Sequence, residues 1–359
     1  MLCVGDSKIK TESYDIHNLC SFKLINNLRF GSSLEDRNFE YQYFRVNNVY
    51  EPDFVIKYGE FKPYTEGSIF IDDKYFIKEG YLFLKDRYGK CSWDIQIKNF
   101  ELPKKKVNIN ATYKGFRKCI KYSSMKNIFV RSLISLHLIS RNSALIHASA
   151  VCSDGKAFLF VGMPGVFKTS IVMEFIRNYG CEYLGEENTV IKDGVAYPFP
   201  LNIKSFEYKL KYFDNENPSS KFQKLQLIKH VLYGKNLNNV PISKPYKIAE
   251  VFLLKKGDSF SITKTELNDN ILADFLKNEK MEIGVTPTHM LSGVKENHFG
   301  EYINAYTAVV KKSWLSDIWV NLENIIVDSY RNASIFSVSV PANFNKNICR
   351  ALFAEIKSG

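Results

Sequence analysis

Proline and glycine are scarce in this chain, 11 and 19 among 359 residues. With 45% apolar residues, this is not the composition of a disordered segment. Paired cysteines are missing too. The seven, at positions 3, 20, 91, 119, 152, 181 and 349, are odd in number, scattered and without a CxxC spacing. Such a set serves a disulfide framework or a thiolate metal site poorly, and free thiols in a reducing cytosol fit it better. No apolar leader opens the sequence, because Asp6, Lys8 and Lys10 interrupt one. The most apolar long stretch, 127–152, contains Arg131, His137 and Arg141 and makes a poor membrane span. There is no arginine-rich run, no aromatic RNA-recognition signature and no internal repeat. The expectation is a cytoplasmic protein with no membrane and no specific nucleic-acid partner.

What is abundant is aromatic and basic. Aromatic residues make up 14% of the chain and the net charge is +11. That charge describes either a solvated lysine surface or an attraction to acidic groups, such as nucleotide phosphates or an acidic peptide. The length suits one large domain or two ordinary ones. Residues 1–122 read as β-rich. Segments 41–46, 53–58, 68–72, 81–85 and 93–100 carry β-branched and aromatic residues between turn formers. Residues 123–359 read as an α/β region. It starts with a mostly buried helix over 123–140 and strands over 144–151 and 157–161. A helix over 168–179, closed by Gly180, and a hairpin over 189–198, turning at Asp193-Gly194, come next. The lysine-rich stretch 209–247 reads as a mobile insertion or lid. Strands at 251–254 and 259–263, a helix near 267–277 and a closing helix–strand–helix over 314–356 complete the pattern. Trp314 and Trp319 share helical spacing with Leu315 and Ile318 and are expected in the core. Thr286, His289, His298 and Glu301 fall in a polar, loop-like run and receive no role.

The strongest chemical signal is the run Gly162, Met163, Pro164, Gly165, Val166, Phe167, Lys168, Thr169, Ser170. An apolar strand precedes it and an amphipathic helix follows. A Walker A loop reads GxxxxGK[ST]. Here the first glycine, the lysine and the threonine are in register, while Phe167 stands at the last glycine. Loop N–H groups and a helix N-terminus can converge on phosphates. The Lys168 ammonium would neutralise the β- and γ-phosphates, and the Thr169 hydroxyl would ligate Mg²⁺. Glycine is usual at the Phe167 position because backbone and phosphate approach closely. A phenylalanine there is expected to take a negative φ and turn its ring away from the loop. An incidental lysine in a strand–turn–helix connection is the competing reading.

Two features flank the loop. His147 lies in an apolar strand, where a lone histidine is ordinarily a satisfied core residue. Glu186 and Glu187 follow a strand end at Tyr183-Leu184. Adjacent carboxylates in that place can divide two roles, one holding Mg²⁺ and the other accepting a substrate hydroxyl proton. A solvated acidic turn is the alternative.

The segments LIHASAV, GKAFLFVGMPGVFKTS, EYLGEENTVI and DGVAYPFPLNIKSF together resemble the nucleotide-binding domain of the HPr kinase/phosphorylase family and its kinase-like relatives. In that family a histidine precedes the phosphate loop and an aspartate pair follows its helix. His147 and the pair Glu186–Glu187 stand at the matching places, with each carboxylate one methylene further out. Pro198-Phe199-Pro200-Leu201 with Lys204 is similar to a tract in HPr-kinase-related proteins of peptide-modification gene clusters. The family's Pro-Gly-Arg-Asn phosphorolysis signature is missing, which argues against reversible phosphorylase action. The resemblance covers residues 125–206. It implies an α/β, HPr-kinase-type P-loop domain behind a β-rich N-terminal region. It also implies ATP or another nucleoside triphosphate with Mg²⁺, and transfer of phosphate to a Ser/Thr hydroxyl of a peptide or protein, such as a ribosomally made precursor peptide. Glu187 would be the base, His147 would support the phosphate and metal end, and Thr169 and Glu186 would hold the metal. A catalytically impaired nucleotide- or peptide-binding accessory protein and a small-molecule kinase are the alternatives. Oligomerisation is left open.

Overall fold

The computed structural model describes residues 10–26, 40–88, 91–103, 106–115, 118–213, 220–234, 240–282 and 299–358. The chain is mixed α/β, with two large sheets and eight α-helices among the described residues. The helices are α1 (Lys118–Ile139), α2 (Lys168–Tyr179), α3 (Ile203–Tyr212), α4 (Lys221–Tyr233), α5 (Asp269–Glu282), α6 (Phe299–Val309), α7 (Ile318–Tyr330) and α8 (Lys346–Ser358). The chain divides into two compact units, residues 1–141 with 298–319 and residues 142–297 with 320–359. The break after Arg141 groups α1 with the β-rich unit.

The first unit holds β1 (Lys10–Ile16), β2 (Cys20–Asn26), β3 (Arg45–Val46), β4 (Phe54–Tyr58), β5 (Ile69–Ile71), β6 (Tyr75–Lys78), β7 (Tyr81–Tyr88), β8 (Cys91–Lys98) and β9 (Val107–Gly115). They form one sheet in the order β3-β1-β2-β4-β9-β8-β7-β6-β5. Only the β2–β4 and β4–β9 pairs within it are parallel. Trp93, Ile95 and Ile97 of β8 are buried as their alternation requires. A file of rings crosses the sheet: Tyr14 stacks on Phe22 at 4.8 Å and Phe22 on Phe54 at 4.9 Å. His137 of α1 lies on Phe54 at 5.1 Å.

Several expectations are corrected in this unit. The polar run that includes Glu301 is helical from Phe299 onward, and Glu301 pairs with Lys74 at 3.3 Å. Thr286, His289 and His298 lie outside the described residues. Leu315 and Ile318 are buried, but Trp314 and Trp319 are only half-buried, because Trp314 opens a short 3-10 turn.

The second unit holds β10 (Ala144–Ile146), β11 (Ala148–Ser153), β12 (Lys156–Val161), β13 (Glu182–Gly185), β14 (Thr189–Lys192), β15 (Val195–Tyr197), β16 (Tyr246–Lys256), β17 (Ser261–Thr265) and β18 (Ser334–Val340). The order is β10-β14-β15-β16-β12-β11-β13, with β18 joined to β16 and β17 to β18. Strands β12, β16 and β18 are mutually parallel and central. Val251, Phe252, Leu253 and Leu254 of β16 are buried on both faces, as a parallel strand under helices requires. Phe160, Phe252 and Phe336 stack in file across these three strands.

The expected strand over 144–151 is two strands broken at His147. The chain there leaves its pairing with β14 and takes up pairing with β12. The described part of the stretch 209–247 contains the end of α3, all of α4 and the start of β16. Residues 214–219 and 235–239 of that stretch lie outside the described set. The thiols of Cys20, Cys152, Cys181 and Cys349 are free and buried. Among the described residues no helix is long and apolar enough to cross a membrane.

Burial, with Arg141 close by, lowers the pKa of His137 from 6.5 to about 3. Its pKa in the unfolded chain stays near 6.5. Between these values the unfolded chain binds the extra proton. The contribution is therefore complete above pH ~6.5 and declines on acidification by up to about 1.4 kcal/mol per pH unit. Urea unfolding of His137→Phe between pH 4 and 7 is expected to show a correspondingly flatter stability profile than wild type; identical profiles would refute the assignment.

Candidate functional site

The site forms where β12 ends. Lys156–Val161 is an apolar central strand, and six residues separate it from α2, which starts at Lys168. Parallel pairing sets Val161 opposite Leu253 of β16. The chain then crosses the end of β16 at Gly162. A Cβ at this position, whose φ is 155°, would stand 2.5 Å from the Leu254 carbonyl oxygen. Only glycine fits there. Gly165, at φ 90°, faces open space.

Phe167 is the last residue before α2. Its φ is 67° and its ψ 21°, which overturns the expectation of a negative φ. The phenylalanine holds the left-handed conformation that glycine adopts without cost, a strain of roughly 1–2 kcal/mol. Its ring accounts for how this is tolerated. It packs on Phe344 at 5.5 Å, and the Lys256 ammonium sits 3.5 Å over it. A cation–π contact is worth about 0.5–2 kcal/mol, so this contact and the ring's partial burial offset most of the strain. Lys256 is itself fastened by donating to the carbonyls of Pro341, at 3.0 Å, and Ala342, at 3.3 Å. The ring thus turns out of the loop, as expected.

Lys168 is 7% exposed and folds back under the loop. Its ammonium donates to the Gly162 carbonyl, lies 3.4 Å from the Met163 carbonyl and is 3.0 Å from His147 Nε2. A buried ammonium needs such acceptors for its three N–H groups. For Nε2 to accept, the imidazole must be neutral with its proton on Nδ1. His147 sits at the β10–β11 break, and its backbone N–H donates to both carboxylate oxygens of Glu279, each at 3.0 Å. Glu279 is buried near the end of α5.

Register places the acidic pair at the same sheet edge. Ala148 lies opposite Val161, and Ala150 opposite Gly185. The start of β11, the loop after β12 and the segment after β13 therefore emerge together. The Ser149 hydroxyl donates to the Glu186 carbonyl, and Thr189 Oγ1 donates to the Ala148 carbonyl at 3.1 Å. Glu186 and Glu187 are half-buried. Burial, with Glu186 next in effect, raises the pKa of Tyr183 beneath them well above 10. Thr169 is half-buried in the first turn of α2. Among the described residues no three His, Cys, Asp or Glu side chains cluster as a metal cage. Mg²⁺ shared between one or two protein groups and phosphate oxygens needs no such cage.

His147, Lys168 and the glutamate segment are thus brought to one edge. Sequence reasoning missed Glu279, Ser149 and Lys256. Glu279 carried a usable signal: Ile271, Leu272, Phe275, Asn278 and Glu279 share the buried face of α5, so a carboxylate at that spacing calls for a donor. Lys256 carried none, since a lysine after a strand is ordinary. No protein-family model matches the chain, and no curated protein matches it.

Gly162→Ala is expected to cost about 1–3 kcal/mol, since backbone must move to admit the methyl. Gly165→Ala, with no neighbour within 4 Å of its added carbon, carries only the strain of its φ. Denaturant midpoints of the two variants decide the matter; equal losses would show that the Leu254 contact does not constrain the loop.

Proposed function

We propose that the chain is an ATP-dependent kinase with a P-loop of HPr-kinase type, acting on a Ser/Thr hydroxyl of a peptide or protein. The observation that carries this reading is the buried Lys168 ammonium, held against His147 and the Gly162 carbonyl at the sheet edge where Glu186 also emerges. Phosphates would enter above the loop and take Lys168 in exchange for its carbonyl partners. The N–H groups of the first turn of α2 have no partner within the helix and would add donors and partial positive charge. Thr169 and Glu186 would hold Mg²⁺, which supplies neutralisation of phosphate charge when bound.

Glu187 accepts the acceptor hydroxyl's proton. The hydroxyl oxygen bonds to the γ-phosphorus as the bond to the β–γ bridging oxygen breaks, releasing the nucleoside diphosphate. His147, fixed by Glu279, keeps Lys168 oriented. One observation favours the accessory reading in which a peptide is bound without nucleotide: Lys168 already has acceptors inside the protein, which any phosphate must displace.

Lys168→Ala is expected to lose about 1.5–3 kcal/mol of nucleotide affinity by calorimetry. Absence of Mg-ATP and Mg-GTP binding at millimolar ligand in wild type would sink the P-loop reading. Glu187→Gln is expected to retain nucleotide binding and to lower phosphate transfer by about 10²–10⁴, and Glu186→Gln to weaken the Mg²⁺ dependence. Tight nucleotide binding without transfer to any peptide encoded beside the gene would favour the accessory reading.

A further inference from the structure

Helix α4 turns an apolar face to solvent. Phe222 is 68% exposed, Leu225 65% and Ile228 47%, and Tyr233 at the end of the helix is 61% exposed. Four large side chains on one short helix exceed the scattered exposure normal for a soluble surface. The root of the α3–α4 pair is nonetheless firm. Phe206 and Leu210 of α3 belong to the core of the unit, and Phe206 packs on Tyr183 at 4.7 Å. Arg177 of α2 donates to the carbonyls of Leu210, at 2.8 Å, Lys209, at 3.1 Å, and Phe213, closing the end of α3. Tyr208 stacks on His230 at 4.8 Å, and Ser220 caps α4 by accepting from the Gln223 N–H. The apolar face is therefore held in place by the helix that follows the phosphate loop.

Among the described residues of the two helices the exposed charge is of one sign. α4 carries Lys221, Lys224 and Lys229 and no carboxylate, and the single acid of α3, Glu207, is buried. At about 100° per residue, Lys221 and Lys229 fall on either side of Leu225, each within about 40° of it. Basic and apolar groups therefore alternate across one exposed surface. A helix that lies in a lipid surface separates them, apolar residues on one face and lysines on the other. A partner that alternates acidic and apolar side chains matches this surface in both respects.

We infer that the exposed face of α4 is a docking surface for an acidic, amphipathic segment of another polypeptide. The contact joins leucine-sized side chains to Phe222, Leu225 and Ile228, with carboxylates reaching Lys221, Lys224 and Lys229. It is independent of the kinase reading, since it requires neither nucleotide nor transfer.

Fluorescence anisotropy of the full chain tests it. The probe is a labelled helix-forming peptide with leucine and glutamate at i, i+3 and i+4 spacing. Saturable binding is expected, weakened about tenfold or more by the double change Phe222→Asp, Leu225→Asp. Lys221→Glu with Lys229→Glu, or added salt, is expected to weaken it too, and a lysine-for-glutamate peptide should not bind. All these side chains are exposed, and circular dichroism verifies that the variants fold. No binding of the glutamate peptide, or equal binding by wild type and variants, overturns the inference. So does association with phosphatidylglycerol vesicles but not the peptide, or a self-association of wild type that the Asp variants abolish without any peptide binding.

Discussion

The close crossing of Gly162 over the Leu254 carbonyl is the constraint on which the site depends. It exists because β12 and β16 run parallel and in register, with Val161 beside Leu253. A connection that left β12 in any other direction would miss the sheet edge, and α2 would begin elsewhere. Because the crossing is tight, the Gly162 carbonyl turns under the loop and meets the Lys168 ammonium. One backbone contact thereby sets where the Lys168 ammonium is held.

Phe167 shows how a loop keeps its shape after losing its customary residue. The backbone conformation is that of the glycine, and the penalty is countered from outside the loop by Phe344 and Lys256. Those residues follow β18 and end β16, so the parallel core supports the loop twice, once through a carbonyl and once through a ring. The expectation of a negative φ treated the phenylalanine as acting alone. Lys256 lies 89 positions further along the chain and leaves no local signal at Phe167.

Legibility in the sequence followed the range of the interactions. The strand–loop–helix at 157–179 was legible nearly to the residue because its determinants are local: an apolar run, a glycine, an amphipathic period and Gly180, whose φ of 67° closes α2. The hairpin at Asp193-Gly194 and strand β18 were legible for the same reason. β1 was not, because its pattern is polar. Glu12 is buried there beside Lys10, at 3.3 Å, and Arg45, at 3.4 Å, the latter far along the chain. The break at His147 was hidden as well, since LIHASAV reads as one apolar strand and only the identity of its two neighbours divides it. For the candidate site, the histidine, lysine and glutamates were visible in the sequence, and the supports that hold them were not.

The break at His147 also bears on how the edge assembles. By switching strand partners there, the chain brings positions 147, 168 and 186 together through contacts of short sequence separation, 21 residues for Lys168 to His147 and 37 for Ser149 to Glu186. Loop closure over such distances costs little entropy and is quick compared with the pairing of β16 to β18, whose strands are some eighty residues apart. The chemically equipped edge is in this sense a local cooperative piece of the molecule, and a segment of some forty residues carries nearly all of its polar groups as one heritable block.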